Sequence, residues 1–175
     1  MEILNVDSDG VLYNLTEHLS YMDGYSYQQY WIDKASERGM KLPDYYSERM
    51  NDHIPNGLFL RGRPMVDAER LLDHVYDIKM KTGVKLVCLT AGPHGHPQFD
   101  IVERDKKQWF KDMGFDKYFD EIIVTDGSHG KLDYSSEKSV LIDDHTGSQR
   151  RFKEKNFPFI LHRNTKQTIE ELKNY

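Results

Sequence analysis

Cysteine is nearly absent. Cys88 is the single one among 175 residues and sits inside an apolar run, so no disulfide framework holds the chain together. That usage fits a reducing, cytoplasmic setting. Long apolar stretches are also missing, since none approaches the ~20 residues needed to cross a bilayer. The N-terminus enters a strand pattern at once, without the basic and apolar regions of a signal peptide. There is no long basic block, and the net charge is -5. Duplex-binding proteins carry a basic footprint, so nucleic acid is not the expected partner. Internal repeats and low-complexity tracts are lacking too, which sets aside solenoids and long linkers. What the chain does have is 30% charged and 38% hydrophobic residues. That is enough for a core, at a length that suits one domain with a small insertion.

The most informative stretch opens the chain. Ile3-Leu4-Asn5-Val6 is a short apolar run that leads into Asp7-Ser8-Asp9-Gly10-Val11-Leu12. Side chains two apart on a strand share a face, and Gly10 marks a sharp turn that glycine's backbone freedom permits. Two carboxylates at the carboxyl end of a strand make a hard-oxygen site of the kind that holds Mg²⁺. Such strand ends are also where open α/β sheets bind ligands. An EF-hand loop does not fit, because its glycine is the sixth loop residue and Gly10 would be the fourth, counting from Asp7. The bland alternative is a strand followed by an Asp-rich turn, and these residues alone do not separate the two.

Residues 14–38 read as helix, with Gly24 a possible interruption and Gly39 a stop. Residues 40–64 read as irregular, punctuated by Pro43, Pro55, Gly57, Gly62 and Pro64. Asp67 to Thr82 carries Leu71, Leu72, Val75 and Ile78 on one side of a helix, with Gly83 as its C-cap. Val84 to Thr90 is an apolar strand ending in a hydroxyl, followed by a Gly/Pro/His loop over Ala91 to Pro97. A helix from Phe99 to Met113 follows, then strands at 121–125, 139–142 and 158–162, with helices at 147–155 and 165–174. This alternation predicts right-handed βαβ crossovers and an α/β fold, a five-stranded parallel sheet with helices on both faces. The link between the first and second strands is too long for one crossover. Residues 15–64 are therefore read as a small helical cap over the carboxyl edge of the sheet, with 1–14 and 65–175 as the core domain.

Four motifs now stand in order, each at the end of a predicted strand: Asp7-Ser-Asp9-Gly-Val-Leu, Leu89-Thr90-Ala91, Lys131, and Leu141-Ile142-Asp143-Asp144. Taken singly, a strand-end Thr is a turn residue, a loop Lys is solvated and an acidic pair is a cap. In this order they resemble the haloacid dehalogenase-like (HAD) phosphohydrolases, with their Rossmannoid core. The resemblance implies a Mg²⁺-dependent phosphomonoester hydrolase. Asp7 would be the nucleophile and form an aspartyl-phosphate. Asp9 would protonate the leaving alcohol and then activate water. Thr90, Ala91 and Lys131 would bind the phosphoryl group. Asp7, Asp143 and the backbone carbonyl of Asp9 would ligate the metal, with Asp144 supporting its water shell. Lys138 is a rival for the lysine role, but it starts its strand and so lies at the wrong end.

Within that superfamily the chain is similar to the 5'(3')-deoxyribonucleotidases of bacterial and phage type. The similar features are Asp7 to Leu12, the stretch Gly57-Leu58-Phe59-Leu60 ahead of Pro64, Lys106-Lys107-Gln108-Trp109, and Leu141 to Asp144. Ser8 stands where an apolar residue is usual, and Asn14 where those nucleotidases often have an acid. The implied substrate is a (deoxy)nucleoside monophosphate, a small-molecule phosphate ester. Aromatic residues of the cap would meet its base. Tyr13, Trp31 and Phe59 are the foremost candidates, followed by Tyr21, Tyr25 and Tyr30; cap core is the competing role for each. Arg61 and Arg63 could reach an anion or be solvated. His94-Gly95-His96 reads as a mobile loop beside the site rather than a metal motif, and Arg150-Arg151-Phe152-Lys153 as a solvated helix face. Two other functions fit the same motifs: a HAD phosphatase for nucleic-acid 3' ends or another small phosphate ester, and a non-catalytic HAD-like binding domain.

Overall fold

The structure, a computed structural model, describes residues 1–24 and 28–175, with the side chains of residues 28 and 29 left aside. Five strands form one parallel sheet: β1 (Ile3–Val6), β2 (Lys85–Gly92), β3 (Glu121–Asp126), β4 (Ser139–Asp143) and β5 (Phe159–Leu161). Their spatial order is β3-β2-β1-β4-β5. The central strand β1 is set by its register, with Val6 opposite Cys88 on one side and Ile142 on the other. Asp7, Thr90 and Asp143 therefore leave the sheet at the same carboxyl edge.

Alternation along the strands divides the core. Leu4, Val6, Leu86, Cys88, Val140, Ile142 and Ile160 belong to one buried cluster, together with Leu71, Leu72 and Val75, Val102, Trp109 and Phe110, and Leu172. Those partners come from α4 (Ala68–Thr82), α5 (Phe99–Asp112) and α7 (Thr165–Leu172). Val87, Leu89 and Leu141 point to the opposite face and pack on Phe152 of α6 (Thr146–Glu154). Helices thus cover both faces, as a parallel sheet requires. β2 runs two residues past Thr90, because Ala91 and Gly92 still pair with Thr125 and Asp126.

Among the described residues, three helices lie between β1 and α4: α1 (Leu15–Met22), α2 (Gln28–Glu37) and α3 (Leu42–His53), closed by a 3₁₀ turn at Ile54–Asn56. The sequence reading expected residues 40–64 to be irregular, and α3 corrects it. Pro43 falls in the first turn of α3, where its missing N–H has no helical partner to lose. It starts the helix rather than breaking it. Asp23 ties the layer together, accepting from Arg49 Nη2 at 2.6 Å and pairing with His53 Nε2 at 2.6 Å. Trp31 packs on Tyr46, ring centroids 5.0 Å apart. Leu15, Leu19, Trp31, Ile54 and Leu58 join the same buried cluster as Leu4 and Val6, so one continuous core runs from sheet to helical layer. Tyr25 and Tyr27 lie outside the described residues.

Candidate active site

The end of β1 brings Asp7 into the sheet edge with its carboxylate nearly enclosed. Asp7 Oδ1 accepts the N–H of Ser8 at 2.7 Å. Its Oδ2 lies 2.9 Å from Lys131 Nζ, which also contacts Asp143 Oδ2 at 2.8 Å. Lys131 belongs to a 3₁₀ turn, Ser128–Tyr134, and its side chain is only 2% exposed. A lone buried ammonium would be costly. Burial pushes the Lys131 pKa down, but Asp7 and Asp143 outweigh it and hold the amine well above the usual lysine range. Lys138, the rival, pairs with Glu2 at the amino end of the sheet at 2.6 Å.

Asp143 Oδ1 accepts the N–H of His145 at 2.7 Å. Carboxylate oxygens of Asp7, Asp143 and Asp144 all lie within 4.8 Å of one another. Such crowding disfavours charge. Burial first, then Asp143 and Asp9, push the Asp7 carboxyl up to about 7 against the pull of Lys131. Burial, Asp143 and Asp9 likewise push Asp144 up to about 6. One ammonium does not neutralise this cluster, and an all-oxygen donor set suits a hard divalent cation. The residues present therefore fit Mg²⁺. The side chain of Asp9 stands apart from the three.

Asp9 instead faces Lys106, which the sequence analysis named within Lys106-Lys107-Gln108-Trp109 without giving it a place in the site. Lys106 Nζ donates to Asp9 Oδ2 at 2.6 Å and to Thr90 Oγ1 at 3.1 Å. It lies 4.4 Å from the centroid of the Phe59 ring. The other oxygen, Asp9 Oδ1, is buried and has no hydrogen-bond partner among the described residues. Lys106 carried a readable signal: Val102, Lys106 and Trp109 are spaced i, i+4 and i+7 on one face of α5, and all three are buried.

These groups open onto a cleft of about 420 Å³, lined by Asp7, Asp9, Ala91, Lys131, Asp143 and Asp144. Tyr46, Ser47 and Met50 of α3, with Phe59, form another part of its wall. The aromatic candidates divide. Phe59 faces the cleft, while Tyr13 and Trp31 do not line it, which corrects their expected place against substrate. Tyr13 is 2% exposed, its ring edge-on to Trp109, its hydroxyl donating to Leu58 C=O and accepting from Gly62 N–H. Trp31 is 4% exposed and held in the core. Apolar burial claimed both rings. Tyr46, missed earlier, takes a place in the wall.

His94 and His129 also line the cleft, their rings edge to face at 4.5 Å. The His94 loop contacts the end of β3: Gly95 N–H donates to Asp126 Oδ1 at 2.7 Å, and His94 Nδ1 lies 3.2 Å from Asp126 Oδ2. The α6 cluster is only partly solvated, since Phe152 is core and Arg151 donates to Ser128 Oγ at 2.7 Å.

No family model matches the sequence, and no curated protein matches it. Solved structures do. A mutant of CbbY from Rhodobacter sphaeroides, in complex with xylulose-(1,5)bisphosphate, is similar with a TM-score of 0.50 at 14% identity, over 93% of this chain and 88% of that one. CbbY in complex with phosphate gives 0.48 at 16%, over 94% and 89%. The HAD-hydrolase YfnB from Bacillus subtilis, bound to magnesium, gives 0.47 at 14%, over 99% and 97%. The likeness at 0.50 shows that this chain shares the α/β fold of CbbY, and at 14% identity it shows the fold alone.

Proposed function

We propose that this chain is a phosphomonoester hydrolase that works through an aspartyl-phosphate on Asp7 and acts on nucleoside monophosphates. The observation that carries the reading is the buried Lys131 ammonium held between Asp7 and Asp143, beside Asp144, at the floor of an open cleft. Asp7, Asp143 and the Asp9 carbonyl would hold Mg²⁺, with Asp144 supporting its water. When bound, the ion screens the dianionic phosphate from the carboxylates.

Asp7 attacks phosphorus, forming a new P–O bond as the bond to the ester oxygen breaks. Asp9 gives its proton to the departing alkoxide, then takes one from the water that cleaves the aspartyl-phosphate. Lys106 holds Asp9 Oδ2 and so fixes the orientation of the carboxyl for that transfer. Lys131, the Thr90 hydroxyl and Ala91 position the phosphoryl oxygens. The nucleotide assignment is supported by the nucleotidase-like motifs and by Phe59 and Tyr46 in the cleft wall.

The test is phosphate release from p-nitrophenyl phosphate, a nucleotide panel and a 3'-phosphorylated oligonucleotide, with and without Mg²⁺. Preference for mononucleotides is expected. Preference for the oligonucleotide would move the assignment to nucleic-acid ends, and no release from any substrate would leave a non-catalytic binding domain.

A further inference from the structure

A second pocket of about 520 Å³ lies in the helical layer, lined by Glu17, His18, Tyr21, Arg61 and Arg63. It shares no lining residue with the catalytic cleft. Its charge is cationic in a chain of net charge -5. Arg61 and Arg63 are exposed, and among the described residues neither has a carboxylate partner. Residues 25–27, which the structure does not describe, and residues 28 and 29, whose side chains are left aside, include no acid. Glu17, the one carboxylate in the wall, already accepts from Asn14 Nδ2 at 2.7 Å.

Exposed arginines are common, but three features distinguish these two. The backbone between them is fixed. Gly62 N–H donates to Tyr13 Oη at 3.1 Å, Gly62 C=O accepts from Trp109 Nε1 at 2.8 Å, and Arg63 C=O accepts from Asn14 N–H at 3.0 Å. Both stems thus leave a preorganised strip of chain, which lowers the ordering cost of binding. Next, His18 Nε2 is buried and has no hydrogen-bond partner among the described residues, a costly state for a polar atom. Burial first, then His53 and Arg61, hold the His18 pKa below its ordinary value. That favours the uncharged ring, whose Nε2 can donate or accept according to its tautomer. Last, Tyr21 is 77% exposed and lies 16° from the plane of His18, centroids 6.2 Å apart. It offers a flat, open face beside the cations.

We propose that this pocket binds a nucleotide at a site separate from the catalytic one, with Arg61, Arg63 and His18 Nε2 on a phosphate and Tyr21 stacked on the base. Guanidinium pairs recognise phosphate, and aromatic faces stack on any base.

The test is isothermal titration of wild-type protein in EDTA with AMP and with inorganic phosphate. Without a divalent ion the catalytic carboxylates repel both, so heat reports on this pocket, and turnover is not the readout. AMP should bind at one site, about tenfold or more tighter than inorganic phosphate. Arg61→Gln combined with Arg63→Gln should weaken both ligands at least tenfold. Tyr21→Ala should weaken AMP about tenfold and leave inorganic phosphate unchanged. All three side chains are exposed, so unchanged circular dichroism and melting are expected. Turnover of p-nitrophenyl phosphate should also be unchanged. AMP binding no tighter than inorganic phosphate, or binding unaltered in the double-arginine variant, would overturn the proposal. Loss of the catalytic reading would not.

Discussion

At Gly10 the backbone is left-handed, and a β-carbon built there would lie 2.1 Å from Asp144 Oδ2. The turn after Asp9 and the seat of Asp144 therefore depend on the same missing side chain. Gly10→Ala should cost about 1–2 kcal/mol for the left-handed residue and displace Asp144. The expected outcome is a drop in kcat and a weaker response to Mg²⁺, with a melting curve still cooperative. Lys131 is placed between two buried carboxylates, so Lys131→Met leaves them facing each other. Removing one partner from such a cluster costs roughly 3–5 kcal/mol. Thermal denaturation should show that loss, and added Mg²⁺ should raise the melting temperature of the variant more than that of wild type. Lys106→Met should lower kcat on the order of a hundredfold for nucleotide and aryl phosphate alike, because Lys106 donates to both Asp9 and Thr90. The strand-end acids could be read from sequence because a carboxylate after an apolar run is conspicuous. Lys106 could not be read so easily, since Asp105-Lys106-Lys107 looks like a solvated charge run until Val102 and Trp109 set its register.

Among the elements, α1 and α3 are joined by Asp23. Burial raises the Asp23 pKa, but hydrogen bonds from Arg49 and His53 outweigh that and hold the carboxyl below its usual range. A carboxylate depressed in the folded state stabilises above its unfolded pKa of roughly 3.9, and that contribution fades as pH falls through the folded value. The gap in melting temperature between wild type and Asp23→Asn should be full at pH 6 and shrink below about pH 4. A gap independent of pH would show that the bonds do not require the charge. None of this was visible in the sequence, because Asp23 and Arg49 are 26 residues apart and no periodicity links them. The five strands were legible as apolar runs ending in turn residues. α3 was hidden because its apolar residues are sparse and Pro43 looked like a breaker. Tyr13 and Trp31 show a further limit, since an aromatic residue reads the same in sequence whether it stacks on a ligand or fills a core.

On the scale of the whole molecule, sheet and helical layer share one hydrophobic core, so excising residues 15–64 would expose Leu4-side packing rather than isolate a catalytic unit. Selectivity is better probed within the cleft wall. Met50→Ala should change kcat/KM for nucleotides severalfold more than for p-nitrophenyl phosphate, because Met50 lines the cleft from α3. Equal effects on both substrates would place selectivity in the Ala91 to Pro97 loop instead. The central claim is that Asp7 carries the phosphoryl group. Acid quenching of the enzyme during turnover of a nucleoside monophosphate with Mg²⁺, followed by peptide mass spectrometry, tests it most directly. The account predicts one phosphoryl group on the peptide that begins the chain, located at Asp7 and absent from an Asp7→Asn variant that has lost turnover but remains folded. Turnover at the wild-type rate in Asp7→Asn, with no phosphoryl group on that peptide, would contradict it.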